Sequence, residues 1–182
     1  MRDCRALRRC AGFTLAEVLV ALFVVALGIA GAAAVQALAV RAAGEAARLS
    51  DGTRLAASLA QRMRANPAAM MLPDAANPYL QFDARAGESN AASVSCYAAS
   101  DCSPVQMAAF DLADTAEALA RRFPGGRMRV CRDAGEPDAD GLLSWTCTDD
   151  PGAPVTIKLG WRSRKGDRDV PVVFLALGAG TP

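Results

Sequence analysis

The residues best placed to do chemistry stand together near the start of the chain, in Gly12-Phe13-Thr14-Leu15-Ala16-Glu17-Val18. Glu17 is a carboxylate at the mouth of an apolar run. From Val18 to Val40 no side chain is charged, and Gln36 is the only strongly polar one. A run of that length can cross a bilayer as a helix, for which about 20 residues suffice. An ionisable side chain in such a place is costly to keep and is a candidate for function. A cut after Gly12 would give it a task. Phe13 would then carry a new ammonium group, four residues ahead of Glu17 and one helical turn away on the same face. Glu17 would also lie in the first turn, where the helix dipole favours an anion. Ammonium and carboxylate tolerate apolar surroundings far better paired than alone. The partner is either the helix's own N-terminus or that of a neighbouring subunit, and the sequence leaves both open.

Other chemistry is sparse. The chain has no histidine, so the Ser/His and Cys/His arrangements of nucleophilic catalysis cannot be assembled. No glycine-rich phosphate loop is present. Glu136-Pro137-Asp138-Ala139-Asp140-Gly141 resembles the opening of a calcium loop, but its first ligand would be Glu and its twelfth position is Cys147, not a bidentate Glu. A solvated hairpin loop is the better reading. Arg162, Arg164, Lys165 and Arg168 form a basic hairpin tip, read as a solvated turn. Trp145 and Trp161 are read as core or sheet-face residues. No catalytic residue, cofactor or metal is assigned.

A leader with Arg2, Arg5, Arg8 and Arg9, followed by Gly-Phe-Thr-Leu-x-Glu-Val-Leu-Val-Ala-Leu and an apolar helix, resembles the type IV prepilins and pseudopilins. The resemblance implies that a prepilin peptidase cuts between Gly12 and Phe13 and that Phe13 is N-methylated. It implies an assembly role for Glu17, with Thr14 and Leu15 beside it. The partners it implies are other minor and major pilins and the assembly platform of the bacterial inner membrane. An ordinary signal peptide cut near Ala32-Ala33-Ala34 fits less well, because the apolar run is too long for its h-region. A plain single-pass anchor with an interfacial Glu17 is the other bland reading. Asp111 to Leu119, then Phe123-Pro124-Gly125-Gly126 and a strand, is similar to minor pilins of the PilV type and to I-type pseudopilins of type II secretion.

Charge distribution orients such a molecule. The leader is net positive and the remainder slightly acidic, so residues 1–12 should stay cytoplasmic and the rest should cross. A near-neutral mature chain gives no case for nucleic acid as a partner. Of the six cysteines, Cys4 and Cys10 lie in the leader. Cys96, Cys102, Cys131 and Cys147 remain, in a compartment that permits disulfides. Three pairings are open. The favoured one joins Cys96 to Cys102 in a very short loop and Cys131 to Cys147 across neighbouring strands, the second worth about 3 kcal/mol by loop entropy.

The elements that must position these residues follow from periodicity. One helix is expected from about Phe13 to Arg64, apolar all round to Val40. Beyond that, Ala42, Ala46, Leu49, Thr53, Ala56, Ala60 and Met63 form an a/d-like stripe. Gly28, Gly31, Gly44 and Gly52 weaken it locally, and Asn66-Pro67 ends it. Residues 66–103 read as an irregular loop with one short strand near Tyr79 to Phe82. Ser103-Pro104 starts a second helix with the face Val105, Ala108, Leu112, Ala116, Leu119 and Phe123. Strands are expected at Met128–Arg132, Leu142–Thr148, Val155–Arg162 with one face buried and one wet, and Val170–Leu177. The result is an α+β molecule of type IV pilin-like fold. It has a leader (1–12), a long helix (13–65, with 13–40 transmembrane or in a filament core) and a periplasmic head with a small antiparallel sheet (66–182). The expected function is non-enzymatic: a minor pilin that primes filament assembly. The alternatives are a minor pseudopilin or a membrane-anchored binding module that never polymerises.

Overall fold

A computed structural model describes residues 13–88, 95–97, 101–135, 137, 139, 141–162 and 169–178. The chain divides into two compact units, Met1–Ala46 and Ala47–Pro182. Helix α1, Leu15–Ala65, contributes to both. In the first unit every described residue is exposed, the large apolar ones from Leu15 to Val40 included. By length and composition α1 can cross a membrane.

The second unit is a four-stranded antiparallel sheet with helices on it. Its strands are β1 (Asp83–Arg85), β2 (Arg127–Arg132), β3 (Val155–Gly160) and β4 (Val173–Ala176), in the spatial order β1-β2-β3-β4. Gly52, Leu55, Ala56, Leu59, Ala60 and Met63 of α1 are buried. All of these but Gly52 join Tyr79, Leu119, Phe123, Met128, Val130, Ile157 and Leu159 in one core. The expected stripe on α1 is therefore corrected. Ala56, Ala60 and Met63 are buried, but Leu49 and Thr53 face solvent, as do Ala42 and Ala46, while Leu55 and Leu59 enter the core. A strict four-three spacing picks out a narrow coiled-coil seam. A helix lying on a sheet buries the wider face, with positions three and four apart both inside.

Gly52 has a packing role. A Cβ there would lie 2.8 Å from the Trp161 ring, so only glycine lets the helix approach that closely. Trp161 also stacks at 5.0 Å on Phe123.

Residues after α1 are more ordered than an irregular loop. Asn66 ends α1 and at once caps α2 (Pro67–Met70), its side chain accepting from the Ala69 amide. The strand expected near Tyr79–Phe82 is a 3-10 turn over Pro78–Gln81, and the strand begins one residue later at Asp83. Asn77 accounts for the shift, because its side chain accepts from the Tyr79 amide while Pro78 holds a helical φ at the first position.

The third helix, α3, is Pro104–Arg122. Ser103 and Gln106 form a reciprocal capping box at its start. Gly125, with φ of 69°, follows its end in the left-handed conformation that favours glycine. Its buried face is Ala108, Asp111, Thr115, Ala116 and Leu119, with Val105 exposed.

Two strand expectations fail for one reason. Residues 142–148 form no strand, and all of β3 is buried, not just its apolar face. The 142–149 segment lies across the face of β3 that was expected to be wet. Trp145 comes so close to Gly160 that a Cβ on the glycine would lie 2.9 Å from the indole. The strand expected at Val170–Leu177 is shortened to β4, Val173–Ala176. Disulfides join Cys96 to Cys102 and Cys131 to Cys147, with Cα separations of 5.9 and 6.3 Å. Cys131 is on β2, but Cys147 is on the irregular segment, so the second bridge clips strand to segment and not strand to strand.

Candidate processing and assembly site

Phe13 is 82% exposed and precedes the helix. Thr14 is the capping residue. Its carbonyl accepts from the amides of Glu17 (3.1 Å) and Val18 (3.3 Å), and its hydroxyl accepts from the Glu17 amide at 3.3 Å. Thr14-Leu15-Ala16-Glu17 is thus a Thr-x-x-Glu start signal, with one orphan amide of the first turn satisfied by the threonine side chain. The Glu17 carboxylate is exposed, and no described cation pairs with it. It also lies where the partial positive charge of the helix start favours it.

The helix begins two residues later than the sequence suggested. Phe13 therefore stands ahead of the first helical turn. Gly12, the leader, and Cys4 and Cys10 lie outside the described residues. So do Arg164, Lys165 and Arg168 of the basic tip and Glu136, Asp138 and Asp140 of the acidic loop. Cys147, the would-be twelfth position of a calcium loop, is bonded to Cys131. Among the described residues no group of His, Cys, Asp and Glu could hold a metal.

The second unit holds a cleft of about 720 Å³ lined by Met63, Met70, Met71, Val155 and Leu177, with Arg64 and Arg132 also contributing. Its lining has no carboxylate, hydroxyl or thiol, so it offers no acid, base or nucleophile. Several polar groups of this unit are used in packing. Asp111 is buried on α3 and accepts from Arg62 at 3.2 Å and from the Tyr79 hydroxyl at 2.9 Å. Asn66 donates to Tyr79 and to the Pro104 carbonyl. Burial pushes the Tyr79 hydroxyl far above its ordinary pKa. Arg62 loses some basicity to burial, but its bonds to Asp114 and Asp111 outweigh that and raise it overall. This network fastens the end of α1 to α3.

Sequence reasoning placed Thr14 in this site without seeing its capping role. The Thr-x-x-Glu spacing was the signal for it. It missed Lys158, which is 1% exposed and ion-paired to Asp133 at 2.5 Å. Nothing local marks that lysine, since it alternates with apolar residues as a surface lysine would.

Two families match this chain. A prokaryotic N-terminal methylation motif covers residues 7–33, which contain Gly12, Phe13 and Glu17. A family described as Type IV pilin Tt1218 covers residues 34–113, from within α1 to within α3. Neither a curated protein nor a solved structure matches the chain. The motif implies processing by a prepilin peptidase and association with pilins, and the apolar helix behind it suggests membrane anchoring. With the two matches running without a gap from residue 7 to residue 113, and a long apolar helix leading into a small antiparallel sheet, the chain is a type IV pilin-like protein.

Proposed function

We propose that this chain is a minor type IV pilin of the PilV kind, a non-enzymatic subunit that primes filament assembly from the inner membrane and sits near the filament tip. Residues 1–12 are the cytoplasmic leader, and the head faces the periplasm. Cleavage falls between Gly12 and Phe13, and Phe13 is N-methylated. Residues 13–40 then anchor the mature chain until it enters the filament among minor and major pilins on the assembly platform.

The observation that carries this reading is the exposed, apolar α1 with its only early charge at Glu17, in the first turn behind a threonine cap. A lone carboxylate entering an apolar assembly is strongly disfavoured unless a cation meets it there. With Phe13 ahead of the first helical turn, the ammonium of a neighbouring subunit fits that need better than the chain's own. The similarity of residues 111–126 to PilV-type minor pilins supports the choice of subunit.

Mass spectrometry of the mature protein from its native membrane tests the processing. An N-terminal methylphenylalanine is expected, and any other first residue refutes it. Glu17→Ala should leave the mature size unchanged and remove the chain from sheared filaments. Incorporation at the normal level would refute the role of Glu17, and absence of the unaltered chain from filaments would refute the pilus reading itself.

A further inference from the structure

The segment 142–149 forms no strand, yet it is held tightly from below. Its consecutive carbonyls at Ser144, Trp145 and Thr146 accept hydrogen bonds from Lys158, Arg129 and again Lys158, at 2.8, 3.1 and 2.6 Å. The third donor of the Lys158 ammonium goes to Asp133 at 2.5 Å. Asp133 in turn accepts from the Thr148 amide, and the Arg132 carbonyl accepts from the Asp149 amide. Lys158 is therefore a buried ammonium with all its donors used. Two of its acceptors flank Cys147 on the N-terminal side, and the third is two residues beyond Cys131.

A buried charge left without its acceptors is severely destabilising, whereas a fully bonded one selects a single arrangement of the groups around it. These bonds need no disulfide. They place Cys147 beside β2 through β3, whose register aligns Thr156 with Cys131.

We infer that Lys158 is a positioning residue for oxidation: it seats the 142–149 segment while Cys131 and Cys147 are still thiols, so the fold selects this pairing from the three available. In the oxidation itself the two thiols become one disulfide, and their two electrons and two protons pass to an oxidant such as glutathione disulfide, which leaves as two glutathione thiols. The inference does not depend on the pilus reading.

The test is oxidative refolding of the full chain in detergent, with Cys4→Ser and Cys10→Ser to remove the leader thiols, in a glutathione redox buffer, followed by peptide mapping of the pairings. The unaltered head should return Cys131–Cys147 as the dominant product. Lys158→Met should lower the ratio of native to non-native pairings about tenfold, the weight of one net hydrogen bond to a charged group. Leu59→Ala, which weakens the core away from the segment, should leave the ratio unchanged. Equal ratios for Lys158→Met and the unaltered chain would overturn the inference, as would equal scrambling by Leu59→Ala. If Lys158→Met does not fold, hydrogen exchange on the reduced, otherwise unaltered chain decides. Protection of the Thr148 and Asp149 amides without the disulfide supports the inference, and its loss refutes it.

Discussion

The residues of α1 before Ala46 and those after it obey the same backbone rules under opposite conditions. The earlier ones are exposed on every side, and from Val18 to Val40 they are uncharged on every side. The later ones bury Gly52, Leu55, Ala56, Leu59, Ala60 and Met63 and keep their charges outside, except for the half-buried Arg62. Apolar surface contributes to stability only where it leaves water, at about 25 cal/mol per Å². The later residues therefore stabilise the head within one chain. The earlier ones can be stabilised only by lipid or by other chains. The difference teaches that one continuous helix carries two separate stability problems, one closed within the molecule and one left for its surroundings.

The largest effect that could break this contrast comes from truncating leucines in both stretches. Leu59→Ala should cost the head about 2–5 kcal/mol, because Leu59 is fully buried among residues of the sheet. Leu22→Ala should leave head stability in detergent unchanged within about 0.5 kcal/mol. Denaturant unfolding followed by tryptophan fluorescence reads both. A similar loss from Leu22→Ala would show that the early residues do support the head.

Glycines sharpen the same contrast with a change of sign. Gly52→Ala forces a methyl group into the Trp161 ring and should destabilise the head by about 1–3 kcal/mol. Gly28→Ala meets nothing within 4 Å and should raise helicity, by up to about 1 kcal/mol. Circular dichroism and thermal unfolding of the two variants in the same detergent check the signs. If Gly52→Ala stabilises, the close approach of helix and indole is wrong.

How much was legible in the sequence follows the same division. The apolar run, the Asn66-Pro67 stop and the Ser103-Pro104 cap are local signals, and the helices they mark are present. The two halves of α1 were distinguishable because charge begins at Arg41. What failed was nonlocal. The alternation in β3 correctly marks a strand, but whether its second face is wet depends on what crosses it, and that is the segment around Trp145. Leu142 to Thr148 has the composition of a strand, yet the carbonyls of Ser144, Trp145 and Thr146 bond to Lys158 and Arg129 side chains, not to a neighbouring backbone. No pattern in either stretch announces the other. The Leu55 and Leu59 positions were missed because a coiled-coil spacing was applied where a sheet supplies the partner.

The smallest effect is electrostatic and belongs to the head alone. The hydrogen bonds from Arg132 hold Asp74 below its ordinary pKa, and those from Arg127 do the same for Asp83. Both carboxylates are depressed in the folded state. Their contribution is therefore complete above the unfolded carboxylate value near 3.8 and is lost as pH falls below it through the folded values. Arg127 and Arg132 are raised and stay charged throughout, so they do not move this window. Both acids are well exposed, and solvent screening keeps each contribution within the range of surface pairs, up to about 1 kcal/mol. Head stability should decline from pH 4 towards pH 2. Asp74→Asn combined with Asp83→Asn should flatten that slope while costing little at pH 2. An unchanged slope in the double variant would refute the contribution of these two pairs to acid sensitivity.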